Sequence, residues 1–264
     1  MIPRIIHYVW VGGAPKPPVV QRCIESWRRF CPGWEIREWG DDMVERFGVQ
    51  YAKEAYAQRK WAFVADWLRR YVLHEYGGFY LDTDMEILKP IDVFISNRLT
   101  MGLVDRHGKV LFNGGFIGCE KGDEIIGGLL RLYDGIPFVK PNGELDQTPN
   151  TVRMAAYFSE RWNLRPERAD RTIDLNDGRV FYPHDCFLSR AGYTYHHYCA
   201  SWLDDWLRKV WLSAGPYKLV RFKRRKEAKD GAPKLLPGEE RIAGMRLSTR
   251  KWVLLLRCKN PAAV

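Results

Sequence analysis

The stretch from Trp61 to Asp84 constrains this chain more than any other. Trp61, Val64, Ala65, Leu68, Val72 and Leu73 recur at helical spacing, so residues 61–76 read as an amphipathic helix that must bury one stripe. Gly77-Gly78 stops it, since glycine adopts left-handed backbone angles at little steric cost. Phe79-Tyr80-Leu81 then forms a brief apolar strand that runs straight into Asp82-Thr83-Asp84. In an open α/β sheet, ligands bind just beyond the carboxyl ends of the strands, so these carboxylates are well placed for chemistry.

The flanking pattern is consistent with such a sheet. Residues 5–11 are a β-branched and aromatic run closed by Gly12-Gly13. Val20, Cys23, Ile24, Trp27 and Cys31 follow at helical spacing until Pro32-Gly33, and a second strand is expected over 34–39. Strand, helix, strand at this spacing predicts a parallel sheet covered by helices. Further strands are expected over 100–104, 110–119 and 180–182, and helices over 123–133 and 151–162.

A chain of 264 residues, 46% of them hydrophobic, can bury one substantial core with a small appendage. The six cysteines show no zinc-like spacing, and a core of this size needs no covalent staples; they read as reduced thiols of a cytosolic protein. His7 arrives before any long apolar run develops, so neither a signal peptide nor a spanning helix is expected at the N-terminus. The formal net charge is +10, but residues 206–264 hold 16 basic and 4 acidic side chains, leaving 26 basic against 28 acidic in residues 1–205. The body is therefore near neutral at −2 and the tail carries +12.

Asp82 and Asp84 lie on one face of an extended chain, since residues i and i+2 share a face. Hard carboxylate oxygens suit Mg²⁺ or Mn²⁺, which take remaining ligands from water and from a substrate's phosphates. Taken alone, the pattern is equally a solvated turn after a strand.

Three separated blocks in a fixed order add to this. Ile5-Ile6-His7-Tyr8-Val9-Trp10-Val11-Gly12-Gly13, Ala65-Asp66-x-x-Arg69 and Gly77-Gly78-Phe79-Tyr80-Leu81-Asp82-Thr83-Asp84, followed by His196-His197-Tyr198-Cys199-Ala200-Ser201-Trp202, resemble glycosyltransferase family 32. That family includes capsular-polysaccharide enzymes and Och1-like mannosyltransferases and is related to clostridial glucosylating toxins. The resemblance covers about residues 1–205. It implies a GT-A-like (Rossmann-like) nucleotide-sugar-binding fold with a mostly parallel central sheet.

By that resemblance Asp84 binds the metal directly, and Asp82 holds the metal shell and the donor ribose. The metal neutralises the diphosphate leaving group. Asp66 and Arg69 bind the donor's sugar and diphosphate side, although at i, i+3 they can equally form an intrahelical ion pair. Trp10 lies against the base, Tyr80 contacts the donor, Trp202 covers the diphosphate, and His197 or His196 completes the metal shell. Asn113 approaches the donor sugar or acceptor. Each aromatic has an alternative place in the core, and Asn113-Gly114 is also a common hairpin turn.

In the tail, Leu203, Trp206, Leu207, Val210 and Trp211 make one helical stripe, and a basic run from Arg221 to Lys226 follows. A basic, partly helical, amphipathic tail over 206–264 predicts attachment to an anionic membrane surface or an acceptor-side role. The five apolar residues 252–256 are too few to span a bilayer; folding back on the core as a strand or helix is the other possibility.

The resulting expectation is a metal-dependent hexosyltransferase with a catalytic domain over 1–205. It would use Mn²⁺ (or Mg²⁺) and a nucleotide sugar, UDP-hexose ahead of GDP-mannose, with a glycan or lipid-linked saccharide as acceptor. Transfer would proceed with retention, in cell-surface polysaccharide or glycolipid synthesis at the cytosolic face of the cell membrane, with no nucleic-acid partner. Two alternatives compete: a metal-dependent phosphoryl-transfer hydrolase with Asp82 as nucleophile, and a nucleic-acid-binding protein acting through the basic tail.

Overall fold

The computed structural model describes residues 1–106 and 108–198, together with the backbone of 206–214, 217–224, 239–248 and 251–258. The chain divides into two compact units, Met1–Tyr198 and Cys199–Val264.

In the first unit the chain runs β1 (Ile5–Val9), α1 (Pro18–Phe30), β2 (Glu35–Trp39), α2 (Asp41–Phe47), α3 (Gln50–Ala57), α4 (Trp61–Tyr76), β3 (Gly78–Leu81) and β4 (Met85–Ile87). It continues through β5 (Leu99–Arg106), β6 (Lys109–Cys119), α5 (Glu124–Arg131), α6 (Asn150–Trp162), β7 (Ile173–Asp174), β8 (Arg179–Tyr182), α7 (His184–Leu188) and β9 (Thr194–His196). Seven strands form a mixed sheet in the order β2-β1-β3-β6-β5-β8-β7. Strands β1, β2, β3, β5 and β8 share one direction, while β6 and β7 run against their neighbours. The sheet is thus mostly parallel, as expected, with β6 inserted antiparallel at its centre.

Alternation along the strands builds a core on each face. Ile6, Tyr8, Phe79 and Leu81 face Val20, Cys23, Ile24 and Trp27 of α1. Val9 and Tyr80 point to the other side, where Val64, Trp67, Leu68 and Val72 of α4 pack. Helices on both faces make a three-layer α/β unit.

The connection that begins β3 is held by close backbone approach. Gly77 and Gly78 have φ of +66° and +95°. A Cβ on Gly78 would lie 2.7 Å from the Ile5 carbonyl oxygen and 3.0 Å from His7 Nε2. His7 closes this corner: its Nε2 pairs with the Gly77 carbonyl at 2.7 Å and its Nδ1 accepts from Trp39 Nε1 at 3.0 Å. A ring that accepts at Nδ1 must be neutral there, and burial lowers its pKa from 6.5 to about 4.

The second unit corrects the tail expectation. Its described backbone is a four-stranded antiparallel sheet, β10 (Trp206–Ala214), β11 (Tyr217–Arg224), β12 (Glu239–Ser248) and β13 (Lys251–Cys258), in the order β10-β11-β13-β12. The stretch from 206 read as a helical stripe is a strand, and the described residues of the tail include no helix. In a segment this short, rich in Val, Leu and Trp and followed by Gly215-Pro216, a helical stripe and a strand pattern overlap, and pairing with β11 selects the strand. Residues 252–256 lie within β13. No helix among the described residues is long and apolar enough to cross a membrane.

Candidate functional site

The strand order places the site. The chain leaves β1 toward β2 through α1, while β3 pairs with the opposite edge of β1. In open α/β sheets ligands bind beyond the carboxyl ends of the strands at such a reversal, which here falls at β1 and β3. Trp10 follows β1 and Asp82 follows β3 at the same end of the sheet.

Asp82-Thr83-Asp84 forms a tight turn in which the Met85 N–H donates to the Asp82 carbonyl at 2.9 Å. Strand β4 leaves the turn and pairs with β9, setting Met85 opposite His196. That pairing carries His196 Nε2 to 3.0 Å from Asp84 Oδ1. Asp82, Asp84 and His196 each offer one ligand atom within 4.8 Å of the others, with all three residues half-buried. Two carboxylates and an imidazole are a donor set suited to Mn²⁺. Burial opposes charge on His196, but the Asp84 carboxylate outweighs it and raises the imidazole pKa. His197 turns elsewhere: its Nε2 lies 2.9 Å from Glu86 Oε2, and its N–H donates to the Asp84 carbonyl at 3.0 Å.

Arg69 braces the acidic end of β3 from beneath. Its side chain is only 6% exposed, with Nη2 3.0 Å from Asp66 Oδ1 and Nη1 3.3 Å from Asp82 Oδ1. Nη1 also donates to the Gly114 carbonyl at 2.5 Å and Nε to the Ala65 carbonyl at 3.1 Å. The intrahelical ion pair therefore forms, and the same guanidinium extends to the Asp82 carboxylate. Burial works against the charge on Arg69, but Asp82 and Asp66 more than offset it. Burial raises the Asp66 pKa despite Arg69 beside it. Tyr80 is buried, with Arg69 4.7 Å from its ring centre and its hydroxyl donating to Asp82 Oδ1 at 3.0 Å.

The adjacent strand supplies the floor. Between the β5–β6 pairs Leu103↔Phe112 and Met101↔Ile117, four residues of β6 oppose Gly102 alone, so β6 bulges over 113–116, a device that re-aims backbone beside functional sites. Gly115 accepts from the Asp82 N–H at 2.8 Å, and a Cβ on it would lie 2.7 Å from Asp82 Oδ2. Asn113 Oδ1 accepts from the Gly115 N–H at 2.8 Å. Its Nδ2 is buried without a partner.

Trp10 is half-buried and its indole N–H donates to the Ala14 carbonyl at 2.7 Å. Next to it, the Gly12 N–H donates to Asp41 Oδ1 at 2.7 Å, and Trp61 covers Gly12 so closely that a Cβ there would overlap the indole. Trp202 lies outside the described residues. Sequence reasoning missed Glu86, Asp41 and Asn150. Asn150 follows Thr148-Pro149 at the start of α6, which read only as a helix entry, and nothing local ties it to the site.

Parts of the chain are similar to known proteins. Residues 17–100 match the family described as a glycosyltransferase sugar-binding region containing a DXD motif. An uncharacterized glycosyltransferase of Acanthamoeba polyphaga mimivirus is 29% identical over 101 residues, 36% of this chain and 40% of that protein. Inositol phosphoceramide mannosyltransferase 1 of Schizosaccharomyces pombe is 29% identical over 106 residues, 36% of this chain and 32% of that protein. The aligned stretch thus spans less than half the length of either relative. Among solved structures, the PaToxG glycosyltransferase superposes with a TM-score of 0.44 at 17% identity, over 60% of this chain and 69% of that one. The matched stretch is thus similar to the sugar-binding region of DXD-containing glycosyltransferases, and Asp82-Thr83-Asp84 falls inside it.

Proposed function

We propose that the protein transfers a hexose from a nucleotide sugar, a UDP-hexose ahead of GDP-mannose, to a glycan or lipid-linked saccharide, with retention of anomeric configuration. The observation that carries this reading is the convergence of Asp82, Asp84 and His196 at the carboxyl end of β3, with both aspartates inside the stretch that matches the sugar-binding region. A divalent ion, Mn²⁺ or Mg²⁺, would be held by these three residues and would neutralise the donor's diphosphate as the anomeric bond breaks.

The chain's own groups do the rest. Arg69 fixes Asp82 through Nη1 and pairs with Asp66 through Nη2. The bulge over 113–116 brings the Gly115 backbone against Asp82, whose N–H donates to the Gly115 carbonyl. Trp10, at the neighbouring strand end, offers an aromatic face to the base. His197, bonded to Glu86, positions the β9 end rather than ligating metal.

Purified protein with Mn²⁺ and a panel of UDP- and GDP-sugars should slowly hydrolyse one of them, and Asp84→Asn should abolish that hydrolysis. Phosphate release from simple phosphomonoesters with no sugar nucleotide would favour a phosphoryl-transfer hydrolase instead.

We place the protein at the cytosolic face of a membrane, in polysaccharide or glycolipid synthesis. The support is the +12 carried by residues 206–264, since each basic residue near an anionic leaflet contributes about 1 kcal/mol. Replacing Arg224, Arg225 and Lys226 by Gln should weaken capture by phosphatidylserine vesicles. Equally strong, salt-sensitive binding to DNA would contradict the membrane reading.

A further inference from the structure

Asn150 begins α6 far from the DXD motif in sequence, yet it ends beside the same floor. Its Oδ1 accepts from Arg70 Nη2. Arg70 is wholly buried, donates its other arm to the Asp66 carbonyl, and leaves its Nε without a partner. A buried guanidinium held this way fixes the amide's orientation: the oxygen faces Arg70, so the nitrogen faces the opposite way. There Asn150 Nδ2 stands directly over Gly114, where a Cβ would collide with it, and Arg69 Nη1 would lie 3.3 Å from the same Cβ. Among the described residues Nδ2 has no hydrogen-bond partner, and it is not among the buried unpartnered atoms, so it is open to a ligand.

Asn113, the neighbour of Gly114 along β6, has its oxygen taken in the same way. Its oxygen is taken by the Gly115 N–H at 2.8 Å, and its Nδ2 is buried without a partner. Buried donors left unpaired in a native fold call for an explanation. Here two amides, each with its oxygen locked by the protein, flank a glycine floor beside Asp82. Their N–H groups need acceptors, and the hydroxyl oxygens of a sugar are acceptors of the right kind.

We propose that Asn150 is a donor-sugar contact: its Nδ2 donates to a hydroxyl of the transferred hexose while its Oδ1 stays on Arg70, and with Asn113 it selects a sugar-bearing nucleotide over the bare nucleotide. The proposal rests on the assignment of this site as a nucleotide-sugar site.

The test compares affinities for UDP-glucose, UDP-galactose and GDP-mannose with those for UDP and GDP, all with Mn²⁺, in the full chain. Asn150→Asp keeps an oxygen for Arg70 and removes the N–H donors. It should lower the affinity for the preferred sugar nucleotide about tenfold relative to its parent nucleotide, with a thermal midpoint no lower than wild type. Asn150→Ala should show the same loss of preference together with a lower midpoint, because Arg70 loses its acceptor. If both variants keep the wild-type ratio of sugar nucleotide to nucleotide, Asn150 serves only to brace Arg70 and the proposal is wrong. If wild type binds UDP or GDP but no sugar nucleotide, or binds neither, the site assignment itself fails and the proposal falls with it.

Discussion

Replacing Arg69 with Met removes the guanidinium and keeps most of the side-chain volume. In the folded protein Asp66 then loses its partner at 3.0 Å while its side chain remains 10% exposed, and the Gly114 carbonyl loses its donor. Breaking a buried pair by deleting one member destabilises by about 3–5 kcal/mol, because the remaining charge is left uncompensated. For a unit of this size each kcal/mol moves the midpoint by about 2–4 °C, so a loss of roughly 10 °C is expected by calorimetry. The deficit should narrow as pH falls toward 4. With Arg69 gone, folded Asp66 binds a proton more readily than unfolded Asp66, so stability rises as pH decreases through that range. Asp66→Asn in the Arg69→Met background should recover part of the loss, since it removes the stranded charge. A midpoint within 2 °C of wild type at pH 7, where the prediction is roughly 10 °C, would show that Arg69 does not brace this end of the sheet.

Other expectations follow from the same contacts. Gly115→Ala puts a methyl 2.7 Å from Asp82 Oδ2, so Mn²⁺ affinity measured by calorimetric titration should fall by about tenfold or more while circular dichroism stays native; unchanged affinity would mean Asp82 is free to move. His7 has a folded pKa of about 4 against 6.5 unfolded. The unfolded state therefore binds the extra proton between those values, and stability falls as pH drops below 6.5, by about 2 kcal/mol at pH 5. Urea unfolding of wild type and His7→Gln at pH 7 and pH 5 should show that pH dependence only in wild type.

Where the sequence pattern was strong and local, it predicted structure well. The stripe from Trp61 and the stop at Gly77 mark the bounds of α4, and Phe79–Leu81 with its aspartates is β3 and its turn. The choice between His196 and His197 was not legible, because it depends on the register that sets Met85 opposite His196, a pairing no local signal reports. Asn150 was missed for the same reason: its contacts with Arg70 and Gly114 are made by tertiary packing of α6. Helices α2 and α3 were missed because their apolar residues are few and broken by charges. The tail was misread because an amphipathic segment of this length fits either period, and partner strands decide it.

The proposed metal-dependent sugar-transfer site is built on Asp82, Asp84 and His196. Its most direct test is Mn²⁺-dependent hydrolysis of nucleotide sugars by wild type and Asp84→Asn, followed by release of the free sugar. The expected result is turnover of one donor by wild type, lost on adding EDTA and reduced by about two orders of magnitude or more in Asp84→Asn. Turnover that survives both EDTA and Asp84→Asn would contradict it.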